Sequence, residues 1–152
     1  LWNVAYGALV TSATLTALGT FDRFRMRAGL PKKAVTAVVP SPFHHADAGV
    51  LRVPDLKADP RDAPAHTAAI IRDLPALVEG SRGTLVLFSS RKQMQDVFDG
   101  LDRDWRKQVF IQGNLSKQET LNKHKARVDG GDSSVLFGLA SFAEGVDLPG
   151  AY

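Results

Sequence analysis

Four clusters of hydroxyl, amide and acidic residues have the chemistry to hold a phosphate, a sugar or a water. Thr11-Ser-Ala-Thr14 ends an apolar run. Small hydroxyls at such a point can bond a phosphate or a neighbouring loop without obstruction, or simply cap the next turn. In Phe88-Ser-Ser-Arg91, Ser89, Ser90 and Arg91 sit where an apolar run gives way to a helical pattern. Backbone N–H groups at a helix start attract anions, and these side chains add donors; a serine cap beside a solvated arginine is the plainer alternative. Gln112-Gly-Asn-Leu-Ser116 repeats the arrangement, with Gly113 allowing close backbone approach and Gln112 and Asn114 able to donate to phosphate or sugar. The fourth cluster is the long stretch Gly138 to Gly150, in which Glu144 and Asp147 flank Gly145. A carboxylate there can accept ribose hydroxyls or orient a water. Ordinary turns with solvated acids would also account for the third and fourth clusters.

The elements that must position these clusters follow from periodicity. Ala8 to Ser12 reads as a short buried strand, Phe21 to Ala28 as a helix stopped at Gly29, and Ala34 to Val39 as a second apolar, β-branched run. Gly49 to Val53 reads as a further strand and 54–64, rich in Pro, Asp and Lys, as a loop. Residues 66–78 carry Ile70, Ile71, Leu74, Leu77 and Val78 on one helical face, with Pro75 predicting a kink. Thr84 to Phe88 is apolar throughout, the pattern of a strand buried on both faces. A helix over 92–101, a strand over 108–112, a helix opened by the capping box Ser116-Lys-Gln-Glu119 and a strand over 133–138 complete the chain. Strands alternating with helices predict an α/β fold: a parallel sheet with helices on both faces. Ligands bind at the carboxyl ends of the strands in such sheets, so the four clusters should share one rim.

Composition narrows the class. With 152 residues, 44% hydrophobic and 23% charged, the chain has the profile of a globular protein. No run approaches a membrane span and Leu1 to Leu15 is no signal peptide, which predicts a cytoplasmic protein with no membrane partner. Residues 91–127 carry nine Lys/Arg against five Asp/Glu, whereas the acids of 128–152 meet no base; a phosphate backbone could lie along the first segment, although on charge alone an ordinary solvated face is the plainer reading. Cysteine is absent, so no iron–sulfur or Cys-ligated zinc site can be built from these residues. His44, His45 and Asp47 read as solvated rather than as a metal site. Trp105 and Phe110 could stack on bases, although Phe110 suits a core. A start at Leu1 and a stop after a glycine-rich turn predict a piece of a longer protein.

Taken in order, the clusters resemble the motifs of the DinG family of DNA helicases, in the XPD-like branch of superfamily 2. Val10-Thr-Ser-Ala-Thr-Leu15 resembles motif III and Pro40-Ser-Pro-Phe43 the turn that follows it. Thr84 to Arg91 is similar to motif IV, and Gly138 to Gly150 to motif V in its E-G-x-D form. The resemblance implies a RecA-like fold, with 1–29 as the exit strand and helix of a first motor domain and 30–152 as most of a second. It implies DNA-stimulated ATP hydrolysis and unwinding of duplex or forked DNA, in repair and replication, by a motor that holds a single strand. Thr11, Ser12 and Thr14 would couple the ATP site to DNA. Ser89, Ser90 and Arg91 would touch the DNA backbone, with Gln112 and Gly113 alongside. Glu144, Gly145 and Asp147 would face nucleotide, Glu144 and Asp147 in catalytic positions, and Ser141 would face DNA.

The departures are equally informative. No G-x-x-x-x-G-K-[ST] loop and no Asp-Glu pair for magnesium occur, nor does the arginine-bearing motif VI. ATP, magnesium and any iron–sulfur cluster would therefore depend on residues elsewhere in a complete protein, and this piece alone is expected neither to hydrolyse ATP nor to unwind DNA. A non-catalytic α/β module binding a phosphosugar or other anion, and a helicase-derived nuclease, are the competing readings.

Overall fold

The computed structural model describes residues 2, 4–150 and 152. It divides into two compact units, Leu1–Arg52 and Val53–Tyr152.

The first unit contains helix α1 (Asp22–Ala28) and the single turn α2 (His45–Ala48). Helix α1 stops where Gly29 turns left-handed at φ 60°, its N–H returning to the Arg25 carbonyl. Arg25 in turn donates to the Ala34 carbonyl at 2.9 Å. The runs 8–12, 34–39 and 49–53 form no strand; an isolated bridge between Ala17 and Thr20 is the only pairing in the first unit among the described residues. This corrects the expected strands at 8–12 and 49–53. The residues have strand-like character, but a strand exists only when a neighbour takes up its N–H and C=O groups. None does here, and Leu9, Val39 and Leu51 stay exposed.

The second unit is the α/β domain. Helix α3 (Ala63–Leu77) leads to strand β1 (Gly83–Leu87), helix α4 (Arg91–Gly100), the single turn α5 (Arg103–Arg106), strand β2 (Val109–Ile111), helix α6 (Lys117–Asp129), strand β3 (Ser134–Gly138) and the single turn α7 (Ala140–Ala143). Pro75 is accommodated inside α3, near its end. The three strands are parallel in the order β1-β3-β2, with Leu87 beside Gly138 and Ile111 beside Phe137.

Alternation along β3 explains the two cores. Val135 and Phe137 point to one face, where Leu74 of α3 and Met94 and Val97 of α4 cover them together with Leu101, Val109 and Ile111. Leu136 points to the other face, onto Leu121 of α6 and Phe142 of α7. Helices on both faces are thus as expected. The exception is β1, an edge strand whose Leu85 and Leu87 remain 36% and 49% exposed. The expected burial on both faces fails there because α6 packs on β2 and β3, and the single turn α7 is too short to cover the edge strand.

Trp105 and Phe110 pack against the cores rather than presenting free rings. Among the described residues no group of three His, Asp or Glu gathers as a metal site, and the side chain of His45 lies outside them. No helix among the described residues is long and apolar enough to cross a membrane.

Candidate functional site

Parallel strands place everything that follows them on one edge. Phe88 N–H donates to the Gly138 carbonyl at 2.8 Å and Gln112 N–H to the Phe137 carbonyl at 2.9 Å. The segments Ser89-Ser90-Arg91, Gln112-Gly113-Asn114 and Leu139 to Asp147 therefore leave the sheet side by side at its carboxyl rim.

At the first exit Ser90 is extended (φ −130°) and caps α4, its Oγ accepting from Gln93 N–H at 3.4 Å. Ser89, Ser90 and Arg91 are exposed. Lys92 is drawn into an ion pair with Asp96 at 2.6 Å, whereas Arg91 has no ion-pair partner among the described residues. Its guanidinium lies over Gly113: a Cβ at that position would stand 3.0 Å from Nη1, and the φ of +107° is itself a glycine conformation. Arg91, Lys92, Gln95, Gln112, Gly113 and Asn114 line an open cleft of about 550 Å³. A cleft of about 490 Å³ at the amino ends of the strands, lined by Pro75, Trp105 and Ser133 among others, gathers none of the expected site residues.

The third exit is built on Gly138 and Phe142. A Cβ on Gly138 would fall 2.7 Å from the Phe142 Cβ, so the absent side chain is what lets the buried phenylalanine fold back under α7. Beyond it Gly145 turns with φ 63°, and the Glu144 and Asp147 side chains are exposed and carry no ion pair among the described residues. Exposed carboxylates beside a close-approach glycine can accept hydroxyls from a sugar or order a water. Ser141 Oγ accepts from Gln112 Nε2 at 2.9 Å, which ties the third exit to the second.

Thr11, Ser12 and Thr14 belong to the first unit. They are exposed, and Thr14 N–H donates to Ser12 Oγ at 3.2 Å in a local hydroxyl turn. The expected common rim thus holds for the clusters of the second unit.

Lys117 was not evident in the sequence as a site residue, yet its Nζ donates to the carbonyls of Ser141 at 2.7 Å and Glu144 at 3.0 Å. A signal was available: Lys117 stands in the first turn of α6, where the helix dipole disfavours a cation.

A parallel sheet with helices on both faces and its loops gathered at the carboxyl rim has the arrangement of a RecA-like α/β domain. Comparison with known proteins agrees: the helicase C-terminal domain family matches residues 74–152, and the chain belongs to that family. Along 155 residues, 99% of its length, the chain is 40% identical to the ATP-dependent DNA helicase DinG of Photobacterium profundum, covering 22% of that protein. It is 36% identical over 156 residues to the proteins of the same name from Escherichia coli (strain K12) and Salmonella choleraesuis, again 99% of this chain and 22% of each. The chain spans about a fifth of the length of these curated relatives.

Proposed function

We propose that the chain is part of an ATP-dependent DNA helicase, a cytoplasmic motor that translocates on single-stranded DNA and opens duplexes or forks in repair and replication. Residues 1–29 are the exit from the first motor domain and 30–152 most of the second. The remaining domains of the motor would cover the apolar surface left open at Leu9, Val39 and Leu51. The observation that carries the reading is the shared rim of three loops in a domain of the helicase C-terminal family.

Ser89, Ser90, Arg91 and the Gln112-Gly113 turn face the nucleic acid with Ser141, while Glu144, Gly145 and Asp147 face nucleotide. Thr11, Ser12 and Thr14 couple the two. ATP closes two such domains on each other and hydrolysis reopens them, so that phosphate contacts from Ser89 and Arg91 step along one strand without reading its sequence. The rim suits the sugar side of a nucleotide. It offers no cradle for a triphosphate and, among the described residues, no carboxylate cluster for magnesium. With no cysteine, these residues do not fit an iron–sulfur cluster. Phosphate cradle, magnesium and cationic finger must act together, so ATP is turned over only with the rest of the motor.

Filter binding of single-stranded DNA across a salt series tests the reading. Weak binding should fall with salt, and Arg91→Ala should weaken it further while reducing the log–log salt slope by about one. A salt-independent affinity, or none at all, would favour the phosphosugar module.

A further inference from the structure

The loop that carries Glu144, Gly145 and Asp147 is held from outside by two side chains of the neighbouring segment. Gln112 commits both ends of its amide: Oε1 accepts from Leu139 N–H at 2.8 Å, and Nε2 donates to Ser141 Oγ at 2.9 Å. Lys117 straps the other side of the same turn, donating to the Ser141 and Glu144 carbonyls at 2.7 and 3.0 Å, with Nζ 5.4 Å from the Phe142 ring centroid. A Cβ on Gly145 would be 3.8 Å from that Nζ, so the ammonium sits where the chain reverses.

Two features mark this as more than incidental surface pairing. The single turn α7 leaves carbonyls at its end without helical partners, and an ammonium there satisfies them and complements the turn's dipole. The same ammonium occupies the first turn of α6, a place unfavourable for a cation, and bends away to serve the neighbouring loop. Phe142 anchors the base of the loop in the core. Above that anchor, the height of Glu144 and Gly145 over the rim is set by Gln112 and Lys117.

We infer that Gln112 and Lys117 are positioning residues, which clamp the 139–145 turn and make its nucleotide-facing end respond to what binds at the Gln112-Gly113-Asn114 turn. The coupling rests on the helicase reading above; the clamp does not. Gln112 then serves both sides: the turn that carries it faces DNA, and its side-chain amide, engaged by Leu139 and Ser141, passes the effect to the loop.

Two measurements on the full-length protein separate these statements. Hydrogen exchange at residues 139–146 reads the clamp directly. Lys117→Ala should speed it about tenfold, the loss of roughly one charge-assisted bond, with exchange in β1 and β3 unchanged. Unaltered exchange overturns the clamp whatever the protein's activity. Steady-state ATPase then reads the coupling. Lys117→Ala should lower the DNA-stimulated kcat about tenfold, while nucleotide-free affinity for single-stranded DNA stays within about twofold. Lys117→Arg, which can reach both carbonyls, should restore most of the rate. Weakened DNA binding with a salt slope reduced by about one would make Lys117 a phosphate contact and overturn the inference, as would a fall in melting temperature that Lys117→Arg does not repair. A wild-type protein without DNA-stimulated ATPase would instead refute the helicase reading and remove the coupling with it, leaving the clamp to stand or fall on the exchange result.

Discussion

His124 offers a sharp test of how the second unit is held together. Its imidazole is fully buried (0% exposed) between α6 and the sheet, with Nδ1 2.8 Å from Ser134 Oγ and Nε2 without a hydrogen-bond partner among the described residues. Burial, with a smaller contribution from the charge of Lys125, holds its pKa below the usual histidine value of 6.5. The folded state therefore carries the neutral ring. Above about pH 6.5 both folded and unfolded states are neutral there and the full stability is present. As pH falls below 6.5 the unfolded chain takes up a proton that the folded chain refuses, and stability declines until the folded pKa is passed.

The perturbation is Ser134→Ala against the pair His124→Leu/Ser134→Ala. Removing the hydroxyl alone strands a second ring nitrogen in the core and should cost about 1–3 kcal/mol. For a chain of this size that is a fall of about 2–4 °C in melting temperature per kcal/mol. Removing both partners leaves apolar groups and should recover most of the loss, because a stranded polar atom costs more than an absent pair. Urea unfolding followed by circular dichroism from pH 5 to 8 reads all three proteins. The acid-side decline should weaken in the double variant. A double variant less stable than Ser134→Ala at pH 7.5, with the decline intact, would refute the account.

Two further outcomes follow from packing and capping. Gly138→Val should lower stability by about 1–3 kcal/mol by thermal melt, because a Cβ 2.7 Å from Phe142 Cβ must displace the ring or the strand; an unchanged melt would mean α7 moves freely. Ser116→Ala should cost about 1 kcal/mol in the same assay, since Oγ accepts from Glu119 N–H at 3.2 Å at the start of α6. Ser116→Asp should retain most of the stability.

The second unit was legible because its signals are local. The face Met94, Val97 and Leu101 predicted a helix against a core and is buried against it, and the Ser116 half of the expected capping box, with Oγ accepting from Glu119 N–H, and the Glu119–Lys123 pair at 3.4 Å are both present. The short turn α5 carries too few residues for a period to show. In the first unit the residues read equally well as strands, but strand formation is a property of pairs, and Ala8 to Ser12 finds no partner strand among the described residues. Exposure of Leu85 and Leu87 was illegible for the same reason: an apolar run states what a strand can bury, not what covers it. Ser89, Arg91 and Glu144 could be placed on one rim because parallel strands fix direction. The roles of Gln112 and Lys117 could not be read, since they depend on which hydrogen bonds a side chain makes across 27 or 24 residues of sequence.

The order β1-β3-β2 carries a consequence for how the domain comes into being. The two outer strands never touch, and each finds its ladder only on β3, the last of the three to be synthesised. Until Ser134–Gly138 is available, helices α3 and α4 can meet but no sheet exists. The rim these three strands form, with the loops that leave it, therefore depends on their pairing with the central strand.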